Sequence, residues 1–196
     1  MSNKRLYRVC FTGHRPDKMD LTEAEAKPLL SAAIDKAIEQ GFKTFISGMA
    51  MGVDIWAAEI VLDRKKKNKE LHLIAALPHP NFESRRSADE IKRFNKIIAA
   101  ADLVQQINDR YFRACYQVRN EWMVDRSALV IALFNGQKSG TKNTIDYAKR
   151  KGVKVMNVLN MDVIAFFEFM REQEENTVKQ NEAAAEDRPP QNEKGE

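Results

Sequence analysis

The stretch that most constrains this chain is Lys43 to Trp56, KTFISGMAMGVDIW. Thr44, Phe45 and Ile46 form a short β-branched and aromatic run, Ser47-Gly48 breaks it, and from Met49 the spacing is helical. A strand that enters a helix through a glycine turn belongs to a parallel α/β sheet, with the junction at the carboxyl edge of the strands. Free backbone N–H groups and the positive end of the helix dipole favour an anion there, usually a phosphate. Gly48 and Gly52 carry no Cβ that would hold a ligand away from the backbone. Asp54, in the first helical turn, can accept hydrogen bonds from sugar hydroxyls or complement the dipole. The same letters also suit a plain glycine turn with a capping acid, because the full GxGxxG spacing is absent.

The rest of the chain repeats the strand–turn–helix pattern. Leu6 to Thr12 reads as a first strand closed by Gly13-His14-Arg15-Pro16. At a carboxyl edge, Arg15 offers paired N–H donors to a phosphate, and His14 can donate to a ligand oxygen or carry a proton; a polar turn ended by Pro16 is the plainer reading. Thr22 and Glu25 form a capping box for a helix to about Gln40, whose stripe of Leu29, Leu30, Ala33, Ile34, Ala37 and Ile38 covers a sheet face. Leu71 to Leu77 is a nearly continuous apolar strand of the kind buried on both faces. Beyond it, Arg85 and Arg86 lie either at the mouth of a site or at the start of a surface helix. Ser87 to Ala101 reads as a helix and Asp102 to Ile107 as a short strand.

Tyr111 to Arg126 is expected to be helical, with Arg113, Arg119, Asn120 and Asp125 reaching the sheet edge, and it feeds the buried strand Ala128 to Phe134. That strand empties into a loop where Ser139, Gly140 and Thr141 present hydroxyls and unhindered amides at the start of the next helix, a second anion cradle. Val153 to Val158 closes the sheet. The expected fold is α/β: a Rossmann-like, mostly parallel sheet with helices on both faces, spanning residues 1–160. A helix over 161–175 and a disordered acidic tail over 176–196, poor in apolar residues, complete the expectation.

Charge and composition narrow the function. Residues 171–196 carry eight acids and four bases, which leaves 28 bases and 20 acids in residues 1–170. A basic body attracts nucleic acid or a small polyanion such as a nucleotide, although Arg64 to Lys67 also suit a solvated helix end facing its own dipole. Trp56 and Glu59 read first as a core aromatic and an exposed acid. Cys10 and Cys115 are far apart and in apolar surroundings, so reduced buried thiols are expected, and no metal-ligand spacing stands out. No stretch approaches the ~18 apolar residues of a membrane span and no signal-peptide core opens the chain, so a cytoplasmic location is expected.

Four motifs in order resemble the SLOG superfamily, and within it the YpsA-like branch: FTGHRP at Phe11–Pro16, SGMAMGVD at Ser47–Asp54, RNEWMVD at Arg119–Asp125, and SGT at Ser139–Thr141 followed by Tyr147-Ala148. The resemblance covers roughly residues 5–160. It implies a Rossmann-like sheet that binds a nucleotide or nucleotide-derived ligand. Relatives include the LOG phosphoribohydrolases, which release a base from a nucleoside monophosphate, and the DNA-processing protein DprA. LOG enzymes carry an arginine before the last strand, matched by Arg119, and a PGGxGTxxE motif whose glutamate is catalytic; here Gly140-Thr141 match the GT, but Thr144 stands at the glutamate position. A threonine cannot ionise to support a developing ribosyl cation.

The leading expectation is therefore a non-catalytic sensor or sequestering module for an ADP-ribose or cyclic-nucleotide type of ligand, with no cofactor beyond it. Gly13, His14, Arg15, Ser47, Gly48, Met49, Gly52, Asp54, Arg119, Ser139, Gly140 and Thr141 would bind that ligand. An N-glycosidase is the first alternative and DprA-like DNA binding the second. Nucleic acid is not the expected partner, because the sequence lacks the interleaved aromatic and basic residues of a single-strand groove. The resemblance also implies a homodimer as one possible state.

Overall fold

A computed structural model describes residues 3–160 and 162–186. Six strands, β1 (Arg8–Gly13), β2 (Thr44–Ser47), β3 (His72–Leu77), β4 (Leu103–Gln106), β5 (Leu129–Leu133) and β6 (Lys154–Asn157), form one sheet. Six helices accompany them: α1 (Glu23–Glu39), α2 (Val53–Lys67), α3 (Ala88–Ala100), α4 (Cys115–Asp125), α5 (Gly140–Arg150) and α6 (Val163–Glu186). Strand order is β4-β3-β2-β1-β5-β6, and every pairing is parallel. The fold is thus the expected Rossmann-like α/β arrangement.

Alternation along the strands decides the layers. Val9 and Phe11 of β1, Phe45 of β2 and Leu73 of β3 pack with α1, α2, α3 and α6. Cys10, Ile46 and Ile74, one residue along, pack with Met123 and Val124 of α4 and Ala148 of α5. Both faces are covered, which is why these strands read as continuous apolar runs. Cys10 and Cys115 are buried free thiols, and burial pushes the Cys10 thiol up to about 12.

The chain runs outward from β1 to β4 and then restarts at β5 on the other flank of β1, where Thr12 pairs with Ala132 and Gly13 with Leu133. The carboxyl ends of β1 and β5 therefore diverge into a crevice, the place where open α/β sheets bind ligands.

Local signals set most boundaries. The Thr22 hydroxyl accepts from the Glu25 amide at 3.3 Å while the Glu25 carboxylate accepts from the Thr22 amide at 2.8 Å, the expected capping box. Four boundaries differ from expectation. The segment Asn3–Tyr7 is a 3₁₀ turn ahead of β1. Helix α2 begins at Val53, after a turn in which Met49 and Gly52 have φ of 58° and 87°. Helix α4 begins at Cys115, leaving 111–114 outside it. Helix α6 runs to Glu186, so residues 176–186 are helical where disorder was expected; Glu, Gln, Lys and Ala have strong helix propensity. Residues 187–196 of the expected tail lie outside the described residues.

Candidate functional site

The β2–α2 turn is held by its own polar groups. The Ser47 hydroxyl, fully buried, donates to the Asp54 carbonyl at 2.8 Å and accepts from the Met49 amide at 3.1 Å. The Asp54 carboxylate, projecting back from α2, accepts from the Ala50 amide at 3.1 Å. Burial raises the Asp54 carboxyl above its ordinary range, opposed by the neighbouring Arg119 guanidinium, the Ala50 amide and Arg86.

Arg119 fills the space over Gly48. Projecting from α4 and buried, it donates through Nη1 to the Gly48 carbonyl and, at 3.4 Å, to the Ala76 carbonyl, while Nε donates to the Asn120 side-chain oxygen at 2.9 Å. A Cβ on Gly48 would collide with this guanidinium and lie 2.9 Å from an Asp54 carboxylate oxygen. The glycine makes room for an internal arginine. Of the expected ligand-binding residues, Ser47, Gly48 and Met49 lie in the turn beneath Arg119 and are not among the residues lining the cavity above it. Gly52 lines the adjoining cavity on the α1 side of the turn.

From Arg119 the bonding continues to the second bend. The Asn120 amide donates to the Thr144 hydroxyl at 2.9 Å, and that hydroxyl donates to the Gly140 carbonyl at 2.9 Å. The β2–α2 turn and the start of α5, the two small-residue bends of the sequence, are joined at one rim by this relay.

Above the relay lies a cavity of about 570 Å³ into which Gly13, His14, Arg15, Asp54, Arg119, Ser139, Gly140 and Thr141 all face. Five bases, Arg15, Lys18, Arg85, Arg86 and Arg119, and one acid, Asp54, line it. Ser139 caps α5, its hydroxyl accepting from the Lys142 amide at 3.2 Å. The first amides of α5 have no partner in the preceding turn, and no atom comes within 4 Å of where a Gly140 Cβ would be. Gly13 has a second duty: a Cβ there would lie 2.6 Å from the Val53 Cβ, so β1 and α2 pack closely only through a glycine.

His14 is the unusual group. It is 3% exposed, its ring stacks on Phe134 at 5.3 Å and 20°, and its Nε2 is buried with no hydrogen-bond partner among the described residues. Burial lowers its pKa, opposed by the Asn135 side chain and reinforced by Lys18.

Arg85, Arg86 and Asn120 were legible as residues reaching this edge; Lys18, Phe82 and Tyr116, which also line the cavity, carry no local signal. One expectation is reversed. Beside the cavity, Tyr111 and Phe112 are 65% and 40% exposed between the exposed Arg110 and Arg113. The buried His79 meets Tyr111, Tyr116 and Phe82 edge-on at 5.3, 5.7 and 6.1 Å. Interleaved aromatic and basic residues are therefore present, gathered by the loop before α4 where a helix was expected.

Comparisons with known proteins agree with this architecture. The chain is 31% identical over 142 residues to the SPbeta prophage-derived protein YoqJ of Bacillus subtilis, covering 66% of this chain and 83% of that one. Among solved structures, DNA processing protein A from Helicobacter pylori, described for its single-stranded DNA binding mode, superposes with a TM-score of 0.59 at 17% identity, covering 87% of this chain and 82% of that one. DprA from Streptococcus pneumoniae gives a TM-score of 0.56 at 17% identity over 76% of this chain, which spans about half (49%) of that protein's length. At such identity the likeness is one of fold. The family model of the YspA SLOG family, YpsA, matches residues 9–169, and the chain with its glycine turns and carboxyl-edge cavity belongs to that family.

Proposed function

We propose that the protein binds a nucleotide-derived small molecule of the ADP-ribose or cyclic-nucleotide kind in the carboxyl-edge cavity, and senses or sequesters it without hydrolysis. The observation that carries this reading is a cavity at the start of α5 whose lining has five bases and one acid, with the unpartnered Nε2 of His14 buried behind its wall, where a small turn of the ring would bring it to a ligand. A buried polar atom left unbonded is costly unless a ligand completes it. In this reading the phosphate sits at the start of α5 against Ser139, Gly140 and Thr141, with Arg15 and Lys18 supplying charge. His14 donates to a phosphate or ribose oxygen, and Asp54 accepts from a ribose hydroxyl. Arg119 acts through the field of its charge and by bracing the floor.

The absence of hydrolysis rests on Thr144. Its hydroxyl is engaged by Asn120 and the Gly140 carbonyl, and its side chain is fully buried. No ionisable group therefore stands where LOG enzymes place their glutamate. Glu59 is tied to Arg93 and Lys27, away from the cavity. Calorimetry with ADP-ribose, cyclic AMP, a cyclic dinucleotide and AMP is expected to show saturable binding of at least one. No heat from any of them at millimolar concentration removes the reading, and free base in the recovered mixture replaces it with an N-glycosidase. Pairing of two copies belongs to the same reading, with sedimentation equilibrium as its test.

A second reading is supported by the exposed Arg110-Tyr111-Phe112-Arg113 segment: single-stranded nucleic acid, its bases stacked on the aromatics. The description of the Helicobacter protein points the same way. A gel shift with a short oligonucleotide, weakening steeply with salt, is its expected signature; failure to shift at low salt closes it.

A further inference from the structure

A second cavity of about 580 Å³ opens on the other side of the β2–α2 turn, walled by Pro16, Met19, Leu21, Met51, Ile55 and Trp56. It is not separate from the first, because Met51 and Arg86 line both. Arg86 forms the waist between them. Its Nη2 donates to the Met49 carbonyl at 2.5 Å, and its guanidinium lies 4.8 Å from the Phe82 ring centroid and 5.0 Å from that of Phe94. Its Nη1 is buried with no partner among the described residues. Among the described residues two buried side-chain nitrogens are thus left unbonded, His14 Nε2 and Arg86 Nη1, and both belong to residues at the cavity shared by this edge.

Charge sorts the two compartments. The first is lined by five bases and one acid. The second has Asp20, Glu23 and Glu90 against Arg86 and Arg93; Glu23 and Arg93 are bound to each other, Glu23 also holds Lys27, and Glu90 Oε2 accepts from the Ser87 amide and hydroxyl, so Asp20 and Glu90 Oε1 are the carboxylate oxygens open to a ligand among the described residues. A phosphate is drawn to the first and repelled by the second. What suits the second is an uncharged planar group with apolar faces for Trp56, Met51 and Leu21, and an edge that donates to carboxylates.

We infer that the ligand spans both compartments, its phosphate in the His14 and Ser139 cavity, a nucleobase bearing an exocyclic amine in the Trp56 cavity, and Arg86 Nη1 on an oxygen between them. This inference rests on the proposed small-molecule reading and adds to it the base and the direction in which the ligand lies. Adenine, guanine and cytosine carry such an amine; uracil offers carbonyls to the same acids and is disfavoured.

The test compares AMP, UMP and ribose 5-phosphate by calorimetry on the full chain, followed by emission of Trp56. The protein has two tryptophans, so Trp122→Phe leaves Trp56 as sole reporter. The expected result is that AMP binds about ten-fold more tightly than ribose 5-phosphate and UMP, and that AMP alone of the three shifts Trp56 emission. Met19→Trp, which narrows the second cavity, is expected to remove the advantage of AMP and leave ribose 5-phosphate binding unchanged. Equal binding of AMP and ribose 5-phosphate by the unsubstituted protein overturns the inference while leaving the phosphate cavity intact. So does AMP binding with no Trp56 response. Absence of binding by all three overturns the inference; the small-molecule reading itself falls only if ADP-ribose and the cyclic nucleotides fail as well.

Discussion

The guanidinium of Arg119 lies where a side chain on Gly48 would be, and its Nη1 donates to the Gly48 carbonyl across 71 positions of sequence. The two residues define each other: the glycine admits the arginine, and the arginine satisfies a carbonyl turned away from the sheet. Gly48→Ala is expected to expel the guanidinium and to destabilise the fold by about 1–3 kcal/mol, the cost of leaving buried polar groups unpaired. The pair is not additive. In an Arg119→Ala background the alanine at position 48 no longer meets the guanidinium and only the Asp54 carboxylate, at 2.9 Å, must give way, so the double variant should be clearly less destabilised than the sum of the two single changes. Urea denaturation of the four proteins of this cycle measures the coupling, and simple additivity would show that the close approach carries no energy.

His14 should make the protein pH-dependent in two opposite ways. Burial lowers its pKa from the ordinary 6.5, so on acidification the unfolded chain takes up the proton before the folded one. Stability is then complete above about pH 6.5, declines as pH falls through the interval between the two pKa values, and levels off below the folded value. An anion at Nε2 favours the protonated ring, so affinity for ADP-ribose, whose pyrophosphate does not ionise near neutral pH, should rise over the same interval. His14→Phe keeps the stack on Phe134 and removes the proton. Thermal melts and calorimetry between about pH 5 and 8 should lose both slopes in that variant; a slope that persists belongs to another group.

How much of this was written in the sequence depends on how far each partner lies along the chain. Thr22 and Glu25, three residues apart, announce the start of α1, and the apolar runs of β1, β3 and β5 announce a sheet covered on both faces. Arg15, Asp54 and the Ser139–Thr141 bend reach one cavity because each stands at a strand end or helix start, and the parallel topology brings those to a single edge, which Arg119 reaches from the second turn of α4. Gly48 was read as room for a ligand because its occupant comes from α4, and no local pattern records such a long-range filling. The aromatic residues after Asp109 pass for a helix on composition, yet they gather around His79 instead. The extra turns of α6 show the converse error: lack of apolar residues argues against packing, not against helical backbone.

Arg93 ties three helices at one point. From α3 it donates to both oxygens of Glu23 on α1, at 3.0 and 2.8 Å, and to both oxygens of Glu59 on α2, each at 2.7 Å. Its hydrogen bond holds the Glu23 carboxyl down to about 2, below the ordinary 4.5. A depressed carboxyl stabilises fully above its unfolded pKa and loses that contribution as pH falls through the interval from about 4.5 to about 2. The cluster is part-exposed, so Arg93→Ala is expected to cost only about 1–2 kcal/mol at neutral pH. The loss should shrink on acidification, as the carboxylates protonate. Denaturation midpoints at about pH 7 and about pH 3 decide it, an equal loss at both pointing to packing in place of charge.

In the proposed reading Thr144 stands where LOG enzymes carry their catalytic glutamate. If its identity alone withheld hydrolysis, Thr144→Glu would restore the missing carboxylate and release base from AMP. The geometry predicts otherwise. Position 144 sits at the second turn of α5 with its side chain fully buried between Asn120 and the Gly140 carbonyl, and it does not line the cavity. A glutamate there loses the donor to Gly140, crowds Asn120 and buries a charge. It should destabilise the fold by about 2–4 kcal/mol and yield no free base. Thr144→Val, nearly isosteric, isolates the hydrogen bonds: the Asn120 amide loses its acceptor and the Gly140 carbonyl its side-chain donor, for about 1–2 kcal/mol. Arg119, whose Nε rests on the Asn120 oxygen at 2.9 Å, is then held less firmly, so anion affinity should fall several-fold although position 144 touches no ligand. Base release by the Thr144→Glu protein, read by chromatography of an AMP digest, would show that this position faces the ligand after all. Unchanged affinity in Thr144→Val would show that the relay from α5 to the Gly48 turn transmits nothing to the cavity.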